Sequence, residues 1–80
     1  MRDFIKKTLA TAKKTKIVEG TYSRGEGNVV DIKGTVIKNL ASFEIVRTKG
    51  DHKCSGISVQ DMPLTDKAIE NIAELAVENL

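Results

Sequence analysis

Cysteine, proline and aromatic residues are scarce in this 80-residue sequence, and it has no long apolar run. Cys54 is the only cysteine, which excludes an intrachain disulfide and favours a reducing, cytoplasmic location. No apolar run approaches the ~20 residues that a membrane-spanning helix needs, and the N-terminal segment is too polar for a signal peptide. Phe4, Tyr22 and Phe43 are the only aromatic residues, so we expect an aliphatic core.

The length of the chain allows one domain, residues 1–80. Of its residues, 40% are hydrophobic and 30% are charged, a composition typical of folded globular proteins. A chain this short buries only about 60% of its unfolded surface, so its stability margin is small. Since disulfides are excluded and the sequence shows no metal-ligand spacing, association is the remaining common source of extra stability. We therefore expect a homo-oligomer.

Two segments show the three-to-four spacing of apolar residues that predicts an amphipathic helix. The first is residues 2–15, preceded by Met1, with an apolar stripe of Phe4, Ile5, Leu9 and Ala12. The second is residues 65–80, with Thr65 as the predicted N-cap. Its apolar residues are Ala68, Ile69, Ile72, Ala73, Ala76 and Leu80.

Between the helices, β-branched residues dominate and glycines recur, which predicts strands near residues 16–23, 28–37, 42–49 and 53–60. Four strands joined by short loops form an antiparallel meander. Gly34 lies inside the second strand, where it indicates a bulge or bend. The predicted fold class is α+β, with an N-terminal helix, a four-stranded antiparallel meander and a C-terminal helix in two layers.

Side-chain alternation predicts the lengths of two hairpin loops, because a slip of one residue would send every apolar side chain to the wrong face. Pairing Tyr22 with Val30, and Phe43 with Val59, calls for three-residue loops. The predicted loops are residues 25–27, with Arg24 opposite Asn28, and residues 50–52, with Lys49 opposite Lys53.

The same alternation divides the sheet into two faces. The face predicted to lie under the helices holds Val18, Tyr22, Val30, Ile32, Phe43, Ile45, Ile57 and Val59. The other face is polar but interrupted by Ile17, Val29 and Val46, which we take as a candidate protein interface. Pairing of this face, or of an edge strand, with a second copy would produce a symmetric dimer.

Charge is divided between the ends of the sequence, although the formal net charge is only +2. Basic residues dominate the first helix, and acidic residues dominate the second. Helical spacing predicts one basic ridge, Lys6, Lys7, Lys13 and Lys14, and one acidic ridge, Glu70, Glu74 and Glu78. The ridges can attract each other within the chain, orient a dimer, or remain solvated. The basic ridge can also contact phosphates together with Arg24, Lys49 and Lys53.

His52 and Cys54 are the only residue pair that suggests nucleophilic chemistry. No third residue is in place to orient the imidazole, and two ligands do not make a structural zinc site. We therefore predict no catalytic residue, no metal site and no cofactor.

These features favour a non-enzymatic protein-protein interaction module that acts as an adaptor, inhibitor or regulator on an unknown protein partner, and that forms a homodimer. The alternative is a nucleic-acid-binding regulatory protein that uses the basic N-terminal helix and the loop cations. Few aromatic residues are present to stack on bases, and the acidic C-terminal helix would repel phosphates, so we rank this alternative second.

Overall fold

The structure, a computed structural model, describes residues 1–80. Its elements are α1 (Arg2–Thr15), β1 (Ile17–Gly25), β2 (Asn28–Ile37), β3 (Leu40–Lys49), β4 (His52–Pro63) and α2 (Asp66–Asn79). The strands form one antiparallel sheet in the order β1-β2-β3-β4, which confirms the predicted α+β meander. Neither helix has the length and apolar content needed to cross a membrane.

The core lies between the helices and one face of the sheet, called here the inner face. α1 packs on β1 and β2, while α2 packs on α1 and β4. Every buried residue is apolar. The sheet contributes Val18, Val30, Ile32, Val36, Ala41, Phe43 and Ile45, and the helices contribute Ile5, Leu9, Ala12, Ile69, Ala73, Ala76 and Leu80. Tyr22, Ile57 and Val59 are partly buried against this cluster, so the predicted inner face is confirmed.

Local hydrogen bonds define the helix ends. The predicted N-cap of α2 is confirmed, because the Thr65 hydroxyl accepts a hydrogen bond from the Ala68 N–H at 3.1 Å. α1 is followed by its C-cap, Lys16, which adopts the left-handed conformation and donates its N–H to the Ala12 carbonyl. This left-handed residue turns the chain directly from α1 into β1.

The hairpin between β1 and β2 has a two-residue loop, so the predicted three-residue loop is wrong. Gly25 pairs with Asn28, and both residues of loop 26–27 have positive φ, 52° and 78°. Such a turn matches the right-handed twist of the strands. The third residue that alternation had assigned to the loop is accommodated in the strand: Arg24 has no partner in β2 and forms a bulge inside β1. Beyond the bulge, the predicted pairing of Tyr22 with Val30 is confirmed.

The hairpin between β3 and β4 departs from prediction in the same way. Lys49 pairs with His52 across the two-residue loop 50–51, and Cys54 is the additional residue in β4. The predicted partners Phe43 with Val59, and Ile45 with Ile57, are confirmed. Side-chain alternation therefore shows correctly that each hairpin contains one residue more than a two-residue loop with regular strands would have. The twist of the strands places that residue in a strand, as a bulge, and not in the loop.

Gly34 lies in an unbroken part of β2 opposite Phe43, so the predicted bulge or bend is absent. A side chain at this position would collide with β3, because a Cβ atom would lie 2.1 Å from the Ser42 carbonyl oxygen and 2.5 Å from the Phe43 Cα. Glycine at this position therefore permits close approach of two strand backbones.

The two helices run antiparallel and are joined by three ion pairs along their common side. Lys6 pairs with Glu70 at 3.4 Å and Lys13 with Asp66 at 3.2 Å; the third pair is Arg2 with Glu74. All six side chains are substantially exposed, so each pair contributes at most about 1 kcal/mol.

The predicted basic ridge is divided between two sides of α1, because consecutive helical residues point about 100° apart. Lys6 and Lys13 face α2, whereas Lys7 and Lys14 make no ion pair. The acidic residues of α2 are divided as well, because Glu78 makes no ion pair while Glu70 and Glu74 do.

We expect Gly34→Ala to lower the free energy of unfolding by about 2 kcal/mol or more, because the added methyl group meets backbone that cannot rotate away. Gly56→Ala is the matched control, since a Cβ there lies 3.4 Å from its nearest atom. Urea denaturation of both variants measures the difference. Equal effects would contradict the close approach at Gly34.

We expect Lys6→Glu to lower the free energy of unfolding by about 0.5–1 kcal/mol, since it replaces attraction to Glu70 with repulsion. Lys7→Glu, one position along the same helix turn, should change it by less than about 0.5 kcal/mol. Thermal unfolding at low salt measures both values, and about 1 M salt should remove most of the difference. A larger effect at Lys7 would contradict the pairing of the helices.

Candidate functional site

β1 and β4 are the two edges of the sheet, and an edge strand presents backbone groups without partners. In β1 the direction of these groups follows from local hydrogen bonds. The Lys16 carbonyl accepts from Val36 of β2, whereas the N–H and carbonyl of Ile17 both contact the Thr15 hydroxyl, at 3.3 and 3.0 Å. Ile17 therefore points away from β2. By strand alternation, the backbone groups of Glu19, Thr21 and Ser23 point to the open edge.

A groove of about 550 Å³ runs along this edge between β1 and α1. On the α1 side it is lined by Phe4, Thr8, Thr11 and Thr15, whose spacing places them on one flank of the helix. Lys7 lines the groove on the same flank of α1, and Glu19 lines it on β1. The helical wall of the groove therefore carries one cation among four uncharged side chains.

Gly20 and Phe4 bring α1 close to the edge strand. A Cβ atom at Gly20 would lie 2.9 Å from the Phe4 ring, so the ring packs directly on the backbone of β1. Phe4 also contacts Tyr22, with ring centroids 5.4 Å apart. Both aromatic residues are only partly buried. Apolar ring surface therefore remains accessible beside the open backbone groups.

The other edge carries features that oppose strand addition. β4 has a bulge at Cys54 and a second irregularity at residues 60–61, where Asp61 has a φ of 52° and donates its N–H to the Ser42 hydroxyl. Pro63 ends the strand. The longest uninterrupted stretch of pairing in β4 is residues 55–59. β1, in contrast, pairs regularly with β2 throughout residues 17–23 and has no proline, lysine or arginine there.

The basic residues proposed as phosphate contacts do not form one surface. Lys13 and Lys14 lie at the C-terminal end of α1, where the chain enters β1. Arg24, Lys49 and Lys53 lie at the opposite end of the sheet, where the β1-β2 and β3-β4 loops meet and Gly50 donates a hydrogen bond to the Gly27 carbonyl. Lys53 lies 4.0 Å from Glu44. The cations are therefore distributed along the length of the domain.

The apolar residues proposed as a protein interface are also separated. Val29 and Val46 are diagonal neighbours on the outer face, and both are partly buried. Ile17 is 55% exposed and lies toward the other end of the sheet. The outer face between them carries the charged row Glu19, Lys33 and Glu44. These three residues therefore do not form a continuous apolar surface.

His52 and Cys54 do not form a thiol-imidazole pair. The exposed Cys54 thiol donates to the backbone carbonyl of His52 at 3.7 Å. No group of three or more histidine, cysteine, aspartate or glutamate side chains is arranged to hold a metal ion.

Sequence reasoning missed the groove along β1. Its threonines recur at helical spacing with Phe4, which is a readable signal, but the edge position of β1 depends on the strand order. The groove residues that the sequence did not indicate are Thr8, Thr11, Glu19 and Thr21; Ile17 was indicated only as an outer-face residue.

We compared the chain with models of protein families, with curated proteins and with solved structures. None of these comparisons gave a match.

Proposed function

We propose that the protein is a non-enzymatic protein-protein interaction module that binds an extended polypeptide segment by strand addition to β1. The observation that carries this proposal is the row of unpaired backbone groups at Glu19, Thr21 and Ser23 beside the groove. Strand addition satisfies such groups with the backbone of a partner, and pockets for alternate side chains supply specificity.

The edge has the length of a short binding strand. Residues 19–23 span about 13 Å between their end Cα atoms, and each outward-facing residue offers one N–H and one carbonyl. Each hydrogen bond formed there contributes about 0.5–1.5 kcal/mol net. Side chains on one face of the added strand would contact Phe4, Thr8 and Thr11 on α1. Backbone pairing and side-chain burial would therefore act together.

Nucleic-acid binding receives less support from the geometry. Two of the four α1 lysines proposed for phosphate contact are paired with acids of α2, and the loop cations lie at the opposite end of the sheet from the C-terminal end of α1. Tight phosphate binding requires several cations along one path. The groove has a single cation, Lys7, and an acid, Glu19, in its lining, so it suits a polypeptide better than a phosphate backbone.

We expect peptides selected from a random library against the protein to lose at least about tenfold in affinity when Thr21 is changed to proline. The N–H of Thr21 points to the open edge, so the substitution removes a donor to the partner and no backbone hydrogen bond to β2. It also removes the hydrogen bond that the Thr21 hydroxyl donates to the Asp31 carboxylate at 2.8 Å, so Thr21→Val, which loses only that side-chain bond, should keep the affinity of the parent. Fluorescence anisotropy of the selected peptides measures the loss, and the amide shifts of residues 19–23 locate the binding.

Ser58→Pro is the matched control, because alternation also directs the N–H of Ser58 to solvent, on the β4 edge. It should leave peptide affinity unchanged. Thr11→Arg, which fills the groove from α1, should weaken binding without altering the β1 backbone. Selected peptides that bind the Thr21→Pro and Thr11→Arg variants as tightly as the parent would contradict the proposal.

A further inference from the structure

We infer that the occupant of the β1 edge is a second copy of this chain, paired antiparallel about a two-fold axis at Thr21. The two sheets then form one eight-stranded sheet, with all four helices on the same face. This inference rests on the proposed function, because it names the strand that β1 receives.

The free backbone groups select this register. Ile17 is occupied by the Thr15 hydroxyl, which leaves Glu19, Thr21 and Ser23 to pair. An axis at Thr21 places Thr21 opposite Thr21, and Glu19 opposite Ser23 twice. Each of these pairs exchanges two hydrogen bonds, so all three residues of both copies are satisfied.

Registers shifted by one or two residues either oppose like charges or leave backbone groups without partners. An axis at Glu19 sets two carboxylates directly opposite each other, which is destabilising. An axis at Gly20 pairs Glu19 with Thr21 twice, but it sets Ser23 opposite Ile17, whose backbone groups are already bonded. The axis at Thr21 avoids both defects, because no like charges meet and no free group is left without a partner.

The side chains of the inner face fit the same register. Gly20 faces the second copy's Tyr22, and it has no side chain to obstruct that ring. Phe4 packs over Gly20, so the aromatic pairs of the two copies meet across the axis and cover their accessible ring surface. The groove-facing flanks of the two α1 helices, with Thr8 and Thr11, face each other above the added strands; each flank also carries one cation, Lys7.

The difference between the two edges of the sheet also favours a dimer that cannot add further copies. When two β1 strands pair, neither copy has a free β1 edge. The bulged β4 strands then form both edges of the eight-stranded sheet. The assembly therefore stops at two copies. The monomer exposes 5156 Å², so an interface of about 800 Å² per copy would cover about a sixth of its surface.

The experiment begins with the mass of the protein in solution. Light scattering from micromolar to millimolar concentration should give twice the 8.8 kDa chain mass. Thr21→Pro removes the donor of both axial hydrogen bonds and should raise the dimer dissociation constant at least about tenfold, whereas Ser58→Pro should leave it unchanged. A monomer mass throughout, or an undiminished Thr21→Pro dimer, would overturn the inference.

Cysteine crosslinking in a Cys54→Ser background tests the register. Thr21→Cys should form a disulfide with itself, because directly opposite residues of a hydrogen-bonded pair have Cα atoms about 5.5 Å apart. Glu19→Cys and Ser23→Cys should crosslink only when the two variants are mixed, since each lies about 13 Å from its own copy. A disulfide between Glu19→Cys and Thr21→Cys in a mixture would instead place the axis at Gly20 and overturn the register.

The proposed function and this inference can fail separately. If the protein is monomeric but selected peptides still bind in a Thr21-dependent manner, strand addition is supported and the second copy is excluded. If the protein dimerises through another surface and no peptide binds at β1, both are excluded.

Discussion

Burial of one apolar sheet face beneath two helices is the constraint on which the rest of this structure depends. The chain has no disulfide and few aromatic residues, so aliphatic contacts such as Ile5, Leu9, Ile32 and Ile45 must supply most of its stability. Only one face can be covered by two helices. The other face and both edges of the sheet consequently remain at the surface.

The position of the helices follows from packing and determines the character of each edge. Gly20 allows Phe4 to lie on the backbone of β1, which brings α1 to the margin of the sheet and creates the groove. The ion pairs between Lys6 and Glu70, and between Lys13 and Asp66, align α2 beside α1. These pairs are exposed and weak, so they select an orientation more than they stabilise the fold.

The contrast between the edges links packing to function. A regular edge strand without proline, lysine or arginine is a liability in a protein that remains alone, and natural sheets usually interrupt such a strand. β4 carries such interruptions at Cys54 and Asp61, whereas β1 has none between Ile17 and Ser23. The difference is consistent with an occupied β1 edge. The aromatic surface of Phe4 and Tyr22 beside it adds apolar area for a partner strand to bury.

The sequence by itself determined the element order, the face that each strand buries and the cap of α2, because alternation, helical spacing and capping are local properties. It also required one extra residue in two hairpins. Only the tertiary structure decided that Arg24 and Cys54 form bulges, that Lys6 and Lys7 belong to different surfaces, and that β1 is a regular edge strand. These features depend on strand twist, helix rotation and strand order, which arise when distant segments pack together.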